Sequence, residues 1–126
     1  MRIIRTLIVD DDARFRLFAK RLLSNEPDIE VIGEAEDGQE AILKARELKP
    51  DVVLMDLRMP GMNGIDATRH MKNKKPELPV IMLTIYDMEE YREAATAAGA
   101  VNYVLKKSMN EELIPVIRNA FGQHLD

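Results

Sequence analysis

The sequence predicts a doubly wound α/β domain: one parallel, five-stranded sheet alternating with five helices and covered on both faces. Three observations predict it. Five short, β-rich apolar runs alternate with stretches of helical periodicity. The runs are apolar almost throughout, as strands buried on both faces are. The length of 126 residues suits one domain, whereas a barrel of eight strand–helix units needs about 250 residues. Right-handed crossovers then favour the open, doubly wound arrangement.

Each element has its own signal. Thr6-Leu7-Ile8-Val9 reads as a buried strand that stops at carboxylates. Phe15, Phe18, Ala19 and Leu22 recur at helical spacing, and Pro27 ends that helix. Glu30-Val31-Ile32-Gly33 is a weaker strand whose glycine suits an edge or close packing. Asp37-x-x-Glu40 resembles a capping box, Ala41, Ala45 and Leu48 form the apolar stripe behind it, and Pro50 closes the helix. Asp51 to Met55 is the third strand. Asp56 to Gly64 is a loop punctuated by Pro60-Gly61 and Asn63-Gly64. Ile65 to Lys75 reads as a polar helix, and Pro79 to Thr84 as a strand with proline at its tolerated first position. Asp87-x-x-Glu90 predicts a capped fourth helix with Met88, Tyr91, Ala95 and Ala98 on one face and Gly99 as its stop. Val101 to Leu105 is the fifth strand. From Ser108 the last helix turns Leu113, Ile117, Ala120 and Phe121 inward, with Pro115 bending its first turns.

Composition removes several functions. Hydrophobic residues at 46% and charged residues at 32% give a globular balance, not a disordered one. The absence of cysteine excludes a disulfide scaffold, a thiolate metal site and a cysteine nucleophile. No apolar run approaches the roughly 18 residues of a membrane span, and the N-terminus lacks the form of a signal peptide, so a cytoplasmic address is expected. Eighteen basic against 22 acidic residues leave a net charge of −4, which disfavours direct nucleic-acid binding. No glycine-rich phosphate loop of the Walker type is present.

Open α/β sheets bind ligands at the carboxyl ends of their strands. With the strand order 2-1-3-4-5 of a flavodoxin-like sheet, Asp10, Asp11, Asp56, Thr84 and Lys106 converge in one cleft. Two carboxylates about 4 Å apart repel by roughly 4 kcal/mol at an effective dielectric of about 20. Three of them require a cation or raised pKa values. Oxygen ligands suit Mg²⁺. A carboxylate, a hydroxyl, a lysine and Mg²⁺ together can hold a phosphoryl group, and the carboxylate can attack phosphorus to give an acyl phosphate. Asp12 reads as the cap of the first helix.

The residues at these strand ends also carry a resemblance. Val9-Asp10-Asp11, the stretch from Met55 to Gly64, Leu83-Thr84 and Tyr103-Val104-Leu105-Lys106 stand in order, each at a strand end. Over essentially the whole chain the sequence resembles the receiver domain of two-component response regulators, most closely those with a LuxR-type helix-turn-helix output domain. The resemblance implies that Asp56 is the phosphoacceptor for a sensor histidine kinase. Asp10, Asp11 and Asp56 would organise Mg²⁺ with the backbone carbonyl of Arg58. Lys106 would pair with Asp56 or its phosphoryl group, Thr84 would bond a phosphoryl oxygen, Tyr103 would turn inward with it, and Gly64 would close the loop. The domain would span residues 1–126 without an output domain, would catalyse only its own phosphorylation and dephosphorylation, and would stay off the membrane. Phosphorylation would favour a homodimer through the fourth helix, fifth strand and fifth helix, with Glu89, Glu90 and Glu93 facing Lys107 and Arg118.

The sequence departs from that family at three places. Lys107 stands where many receivers have proline after a cis bond, Ile85 is bulkier than the small residue often found after the threonine, and Asp12 adds a third carboxylate to the usual pair. Two other readings compete. One is a Mg²⁺-dependent small-molecule phosphohydrolase using an aspartyl phosphate. The chain has no long insertion to enclose a substrate, and Arg58 stands where such an enzyme places a second acid. The other is an FMN-binding module, with only Tyr86, Tyr91 and Tyr103 to flank a flavin.

Overall fold

A computed structural model describes residues 2–125; Met1 and Asp126, the two ends of the expected domain, lie outside the described residues. Five strands, β1 (Ile4–Val9), β2 (Ile29–Ala35), β3 (Val52–Met55), β4 (Val80–Thr84) and β5 (Asn102–Leu105), form one parallel sheet in the order β2-β1-β3-β4-β5. This is the expected topology. The helices are α1 (Ala13–Ser24), α2 (Gly38–Leu48), α3 (Gly64–Lys74), α4 (Glu89–Ala98) and α5 (Met109–Leu125), the last preceded by a 3-10 turn at Lys106–Ser108.

Strand side chains alternate between two cores. Ile4, Ile8, Leu54, Ile81, Leu83 and Val104 face α1 and α5, where Ala19, Leu23, Leu113 and Ile117 meet them. Leu7, Val9, Val53, Met55, Val80 and Met82 face the other side, against Ala41 of α2, Ala67 and Met71 of α3 and Ala95 of α4. Each fully buried aliphatic side chain contributes roughly 1.5–3 kcal/mol, so the sheet is a rigid platform for whatever follows its strands. β2 is an edge strand, and its register against β1 slips at Ile32. A Cβ on Gly33 would stand 2.6 Å from Leu48 Cδ1, which is the close packing its glycine suggests.

Most helix signals hold. Asp12 accepts from the amides of Arg14 and Phe15, Asp37 from that of Glu40 and Asn63 from that of Asp66. The Glu40 carboxylate reaches back to the Glu36 amide at 2.8 Å, one residue earlier than in a strict capping box. The end of α2 is closed by Arg5, which donates to the carbonyls of Leu48 and Lys49 at 2.8 and 2.6 Å. Gly99 ends α4 in the left-handed region, at φ 110°.

Some boundaries differ. β1 begins at Ile4 and β2 runs to Ala35, because edge pairing extends both beyond their apolar cores. Val101 lies before β5, and the stretch at Ser108 is still a 3-10 turn. Pro115 lies in the second turn of α5, so the carbonyl of Glu111 lacks its helical donor there and not in the first turn. Asp87 does not cap α4. Met88 occupies the cap position without a side-chain bond, and Asp87 is paired with Arg92 Nη2 at 3.0 Å. The guanidinium brings two donors to the one Asp87 oxygen, Nε at 3.2 Å and Nη2 at 3.0 Å, where a cap would use a single amide. Among the described residues no peptide bond is cis, so the Lys106–Lys107 junction is trans. No described helix is long and apolar enough to cross a membrane.

Candidate functional site

The carboxyl ends of β1 and β3 lie side by side, with Val9 opposite Met55. The residues after them are therefore neighbours: Asp10 and Asp56 are buried, at 1% and 7% exposure, while Asp11 is exposed. One carboxylate oxygen from each of Asp10, Asp11 and Asp56 lies within 4.8 Å of the others. The backbone fixes this cluster. The Asp56 amide donates to the Val9 carbonyl at 2.9 Å, Asp10 Oδ1 accepts from the Asp12 amide at 2.8 Å and Asp56 Oδ1 from the Leu57 amide at 2.8 Å. Asp12 itself turns away to cap α1 and is not part of the cluster.

Lys106, at the end of β5, brings the facing positive charge. Its Nζ lies 2.7 Å from Asp10 Oδ2 and 3.7 Å from Asp56 Oδ2. The expected partner was Asp56. The closer one is Asp10, the more deeply buried carboxylate and hence the one with most need of a counter-charge. The ammonium also sits 3.9 Å from the centre of the Phe15 ring, a contact the helical periodicity of α1 did not reveal.

One ammonium against three carboxylates leaves the cleft negative. Burial pushes the Asp56 carboxyl up to about 6, and the charge of Asp10 pushes the same way. Lys106, the Leu57 amide and the Thr84 hydroxyl oppose the rise. Thr84 is fully buried at the end of β4, and its Oγ1 accepts from the Tyr86 amide at 3.3 Å. Tyr103 is half-buried; its hydroxyl donates to the Tyr86 carbonyl at 2.6 Å, and the Arg92 guanidinium lies 4.6 Å from its ring centre. Ile85, beside Thr84, is 68% exposed, and Lys107 is exposed beyond Lys106.

Gly64 is required by this geometry. A Cβ there would stand 1.9 Å from the Asp56 carbonyl oxygen, and the Gly64 amide donates to the Leu57 carbonyl at 2.8 Å. The loop after β3 closes against the backbone of Asp56 itself.

The side chain of Arg58 is the main residue that the sequence did not single out, since only its carbonyl was expected to matter. Its Nη1 lies 3.2 Å from the Tyr91 hydroxyl, and its guanidinium is 5.6 Å from the Tyr86 ring centre. Tyr86 and Tyr91 pack edge to face at 5.7 Å. The three tyrosines weighed as flavin neighbours instead pack with one another and with arginines between the loop after β3 and α4. No sequence spacing signals a contact between residues 33 positions apart.

Chemically, the cleft offers closely spaced oxygen donors, excess negative charge, a buried hydroxyl and a half-buried ammonium beside a carboxyl whose pKa is raised by burial and by Asp10. That donor set fits a hard divalent cation with waters in its remaining positions.

Residues 6–118 match the family described as response regulator receiver domain. Response regulator GacA of Pseudomonas protegens is 40% identical over 119 residues, covering 94% of this chain and 56% of that protein. Response regulator protein VraR of Staphylococcus aureus is 44% identical over 117 residues, 91% of this chain and 55% of that protein. The chain thus spans little more than half the length of these curated relatives. Among solved structures, the response regulator domain of Thermotoga maritima CheB superposes with a TM-score of 0.90 at 38% identity, covering 96% of this chain and 98% of that one. A LuxR-family two-component response regulator from Aurantimonas sp. SI85-9A1 superposes with a TM-score of 0.92 at 35% identity, covering 96% and 86%.

Proposed function

The chain belongs to the response regulator receiver family, and from that premise we propose that its carboxylate cleft accepts a phosphoryl group on Asp56 from the phosphohistidine of a sensor kinase. The observation that carries this reading is Asp56 itself, a buried carboxylate within 4.8 Å of two others and 3.7 Å from an ammonium. An Asp56 oxygen attacks phosphorus, the bond to the donor's imidazole nitrogen breaks, and an acyl phosphate remains. Lys106 neutralises the oxygens of the transferring group and Thr84 donates to one of them. Water later attacks the same phosphorus and restores the carboxylate. No other turnover is proposed for the cleft.

Asp10, Asp11, Asp56 and the Arg58 carbonyl would hold Mg²⁺, which supplies charge neutralisation to the phosphoryl oxygens. The apposition of the three carboxylates supports that ligand set. Tyr103 and Thr84 together would report phosphorylation at the surface formed by α4, β5 and α5, where a homodimer would form. The likeness to GacA, VraR and LuxR-family regulators supports a kinase partner, a cytoplasmic address and a DNA-binding output domain elsewhere in the full protein, with no nucleic-acid contact by this domain.

Intact-mass measurement after incubation with acetyl phosphate tests the assignment. One phosphoryl group per chain, dependent on Mg²⁺ and lost in Asp56→Asn, is expected. An adduct that forms without metal, or survives Asp56→Asn, overturns it, and so does continued hydrolysis of acetyl phosphate over many turnovers by that variant.

A further inference from the structure

Away from the carboxylate cleft, α2 and α3 run side by side and leave a groove of about 450 Å³ between their C-terminal halves. Ile42, Ala45, Met71 and Leu78 supply its apolar floor, with Met71 and Leu78 buried and the other two half-buried. Its rim is cationic on both walls. Arg46 and Lys49 stand on the α2 side, Lys74 and Lys75 on the α3 side, and all four are exposed. Among the described residues none of the four makes an ion pair. In a chain of net charge −4 this is a local inversion of sign.

Helix dipoles account for part of the pattern, because cations are favoured at helix C-termini. They do not account for the apolar surface that Ile42 and Ala45 leave half-exposed over Met71 and Leu78, between two cationic walls. We propose that this groove docks an acidic amphipathic helix of a partner protein. A trough between two helices accepts apolar side chains spaced i, i+3 and i+4. Cations on both walls match carboxylates on both flanks of that stripe, which speeds association and fixes orientation. A flat anionic membrane would reach the rim and not the floor. Because α2 and α3 end beside the starts of their next strands, the groove lies at the opposite end of the sheet from Asp56. Docking therefore leaves the cleft accessible.

The probe is a synthetic peptide of about four helical turns, with leucine at i, i+3, i+4 and i+7 and glutamate elsewhere. Its control is a scramble of identical composition. Titrated into the ¹⁵N-labelled chain, the patterned peptide should shift the amides of Ile42 and Ala45 saturably. It should bind at least about tenfold tighter than the scramble and lose about tenfold in Arg46→Glu/Lys74→Glu. Equal binding of the scramble shows a charge effect only and overturns the proposal, a comparison that needs no variant. So do shifts confined to other surfaces, no binding at all, or phosphatidylglycerol vesicles that perturb the same floor amides more strongly than the peptide does.

Discussion

The environment of Asp56 costs the fold free energy at neutral pH. Its carboxyl is pushed from 3.8 to about 6, first by burial and then by Asp10, so the folded chain resists losing that proton. Below about pH 4 both folded and unfolded chains hold it, and the group imposes no penalty. As pH rises from about 4 to 6 the unfolded chain releases the proton first, and stability falls by an amount on the order of 2–3 kcal/mol at pH 7. Asp56→Asn should therefore be more stable than the parent at pH 7 in chelator, with the gap closing toward pH 4, as read by urea titration. Millimolar Mg²⁺ should close the gap at pH 7 by stabilising the parent alone. A variant no more stable than the parent at neutral pH would falsify this strain. Gly64→Ala carries the opposite sign. Its methyl would meet the Asp56 carbonyl oxygen at 1.9 Å, which no side-chain rotation relieves. A loss of about 3 kcal/mol or more is expected by the same titration. The carboxylates, Thr84 and Lys106 were legible because each stands at or just past the end of a strand, and strand ends converge in a parallel sheet. The preference of Lys106 for Asp10 was not, since it depends on which of two carboxylates is buried deeper.

At the scale of elements, α4 and the loop after β3 form a unit that no single stretch of sequence encodes. Arg58 bonds the Tyr91 hydroxyl, Tyr91 packs on Tyr86, and Tyr86 receives the Tyr103 hydroxyl. Together with the Asp87–Arg92 pair, this chain fastens the start of α4, where Met88 gives no side-chain cap. Arg58→Ala should thus loosen the first turn of α4 without touching the core. One hydrogen bond is worth about 0.5–1.5 kcal/mol, so amide exchange at Tyr91 and Arg92 should quicken roughly two- to tenfold, with α2 unchanged. Unaltered exchange there would show that Arg58 merely lies on the surface. The strands were readable because burial on both faces leaves apolar runs, and α2 because Asp37 caps it as its spacing predicts. α4 misled because Asp87 had two possible partners, an amide nearby and a guanidinium five residues on.

At the scale of the whole molecule, charge decides which faces can meet. The expected homodimer set Glu89, Glu90 and Glu93 of α4 against Lys107 and Arg118. Arg118 is committed elsewhere: it pairs with Glu26 at 2.6 Å and Asp28 at 2.8 Å, tying α5 to the connection between α1 and β2. Sequence could not reveal this, because the partners are about 90 positions away. Lys107 remains exposed at the end of β5, and the three glutamates remain exposed on α4. A two-fold axis through that surface would place the Lys107 of each copy against the acidic helix of the other. On the proposed function, phosphorylation would bias this face, because Thr84 and Tyr103 both bond the segment around Tyr86 that leads into α4. Pulling the Thr84 hydroxyl toward a phosphoryl oxygen would release the Tyr86 amide, and α4 would shift with its connection. Beryllofluoride with Mg²⁺ should therefore strengthen self-association in sedimentation equilibrium. Lys107→Glu should weaken the activated dimer severalfold, and Arg118→Ala should leave its affinity unchanged while lowering thermal stability. A dimer sensitive to Arg118 and indifferent to Lys107 would move the interface to the other side of α5, and an activated protein that stays monomeric at high concentration would remove it altogether.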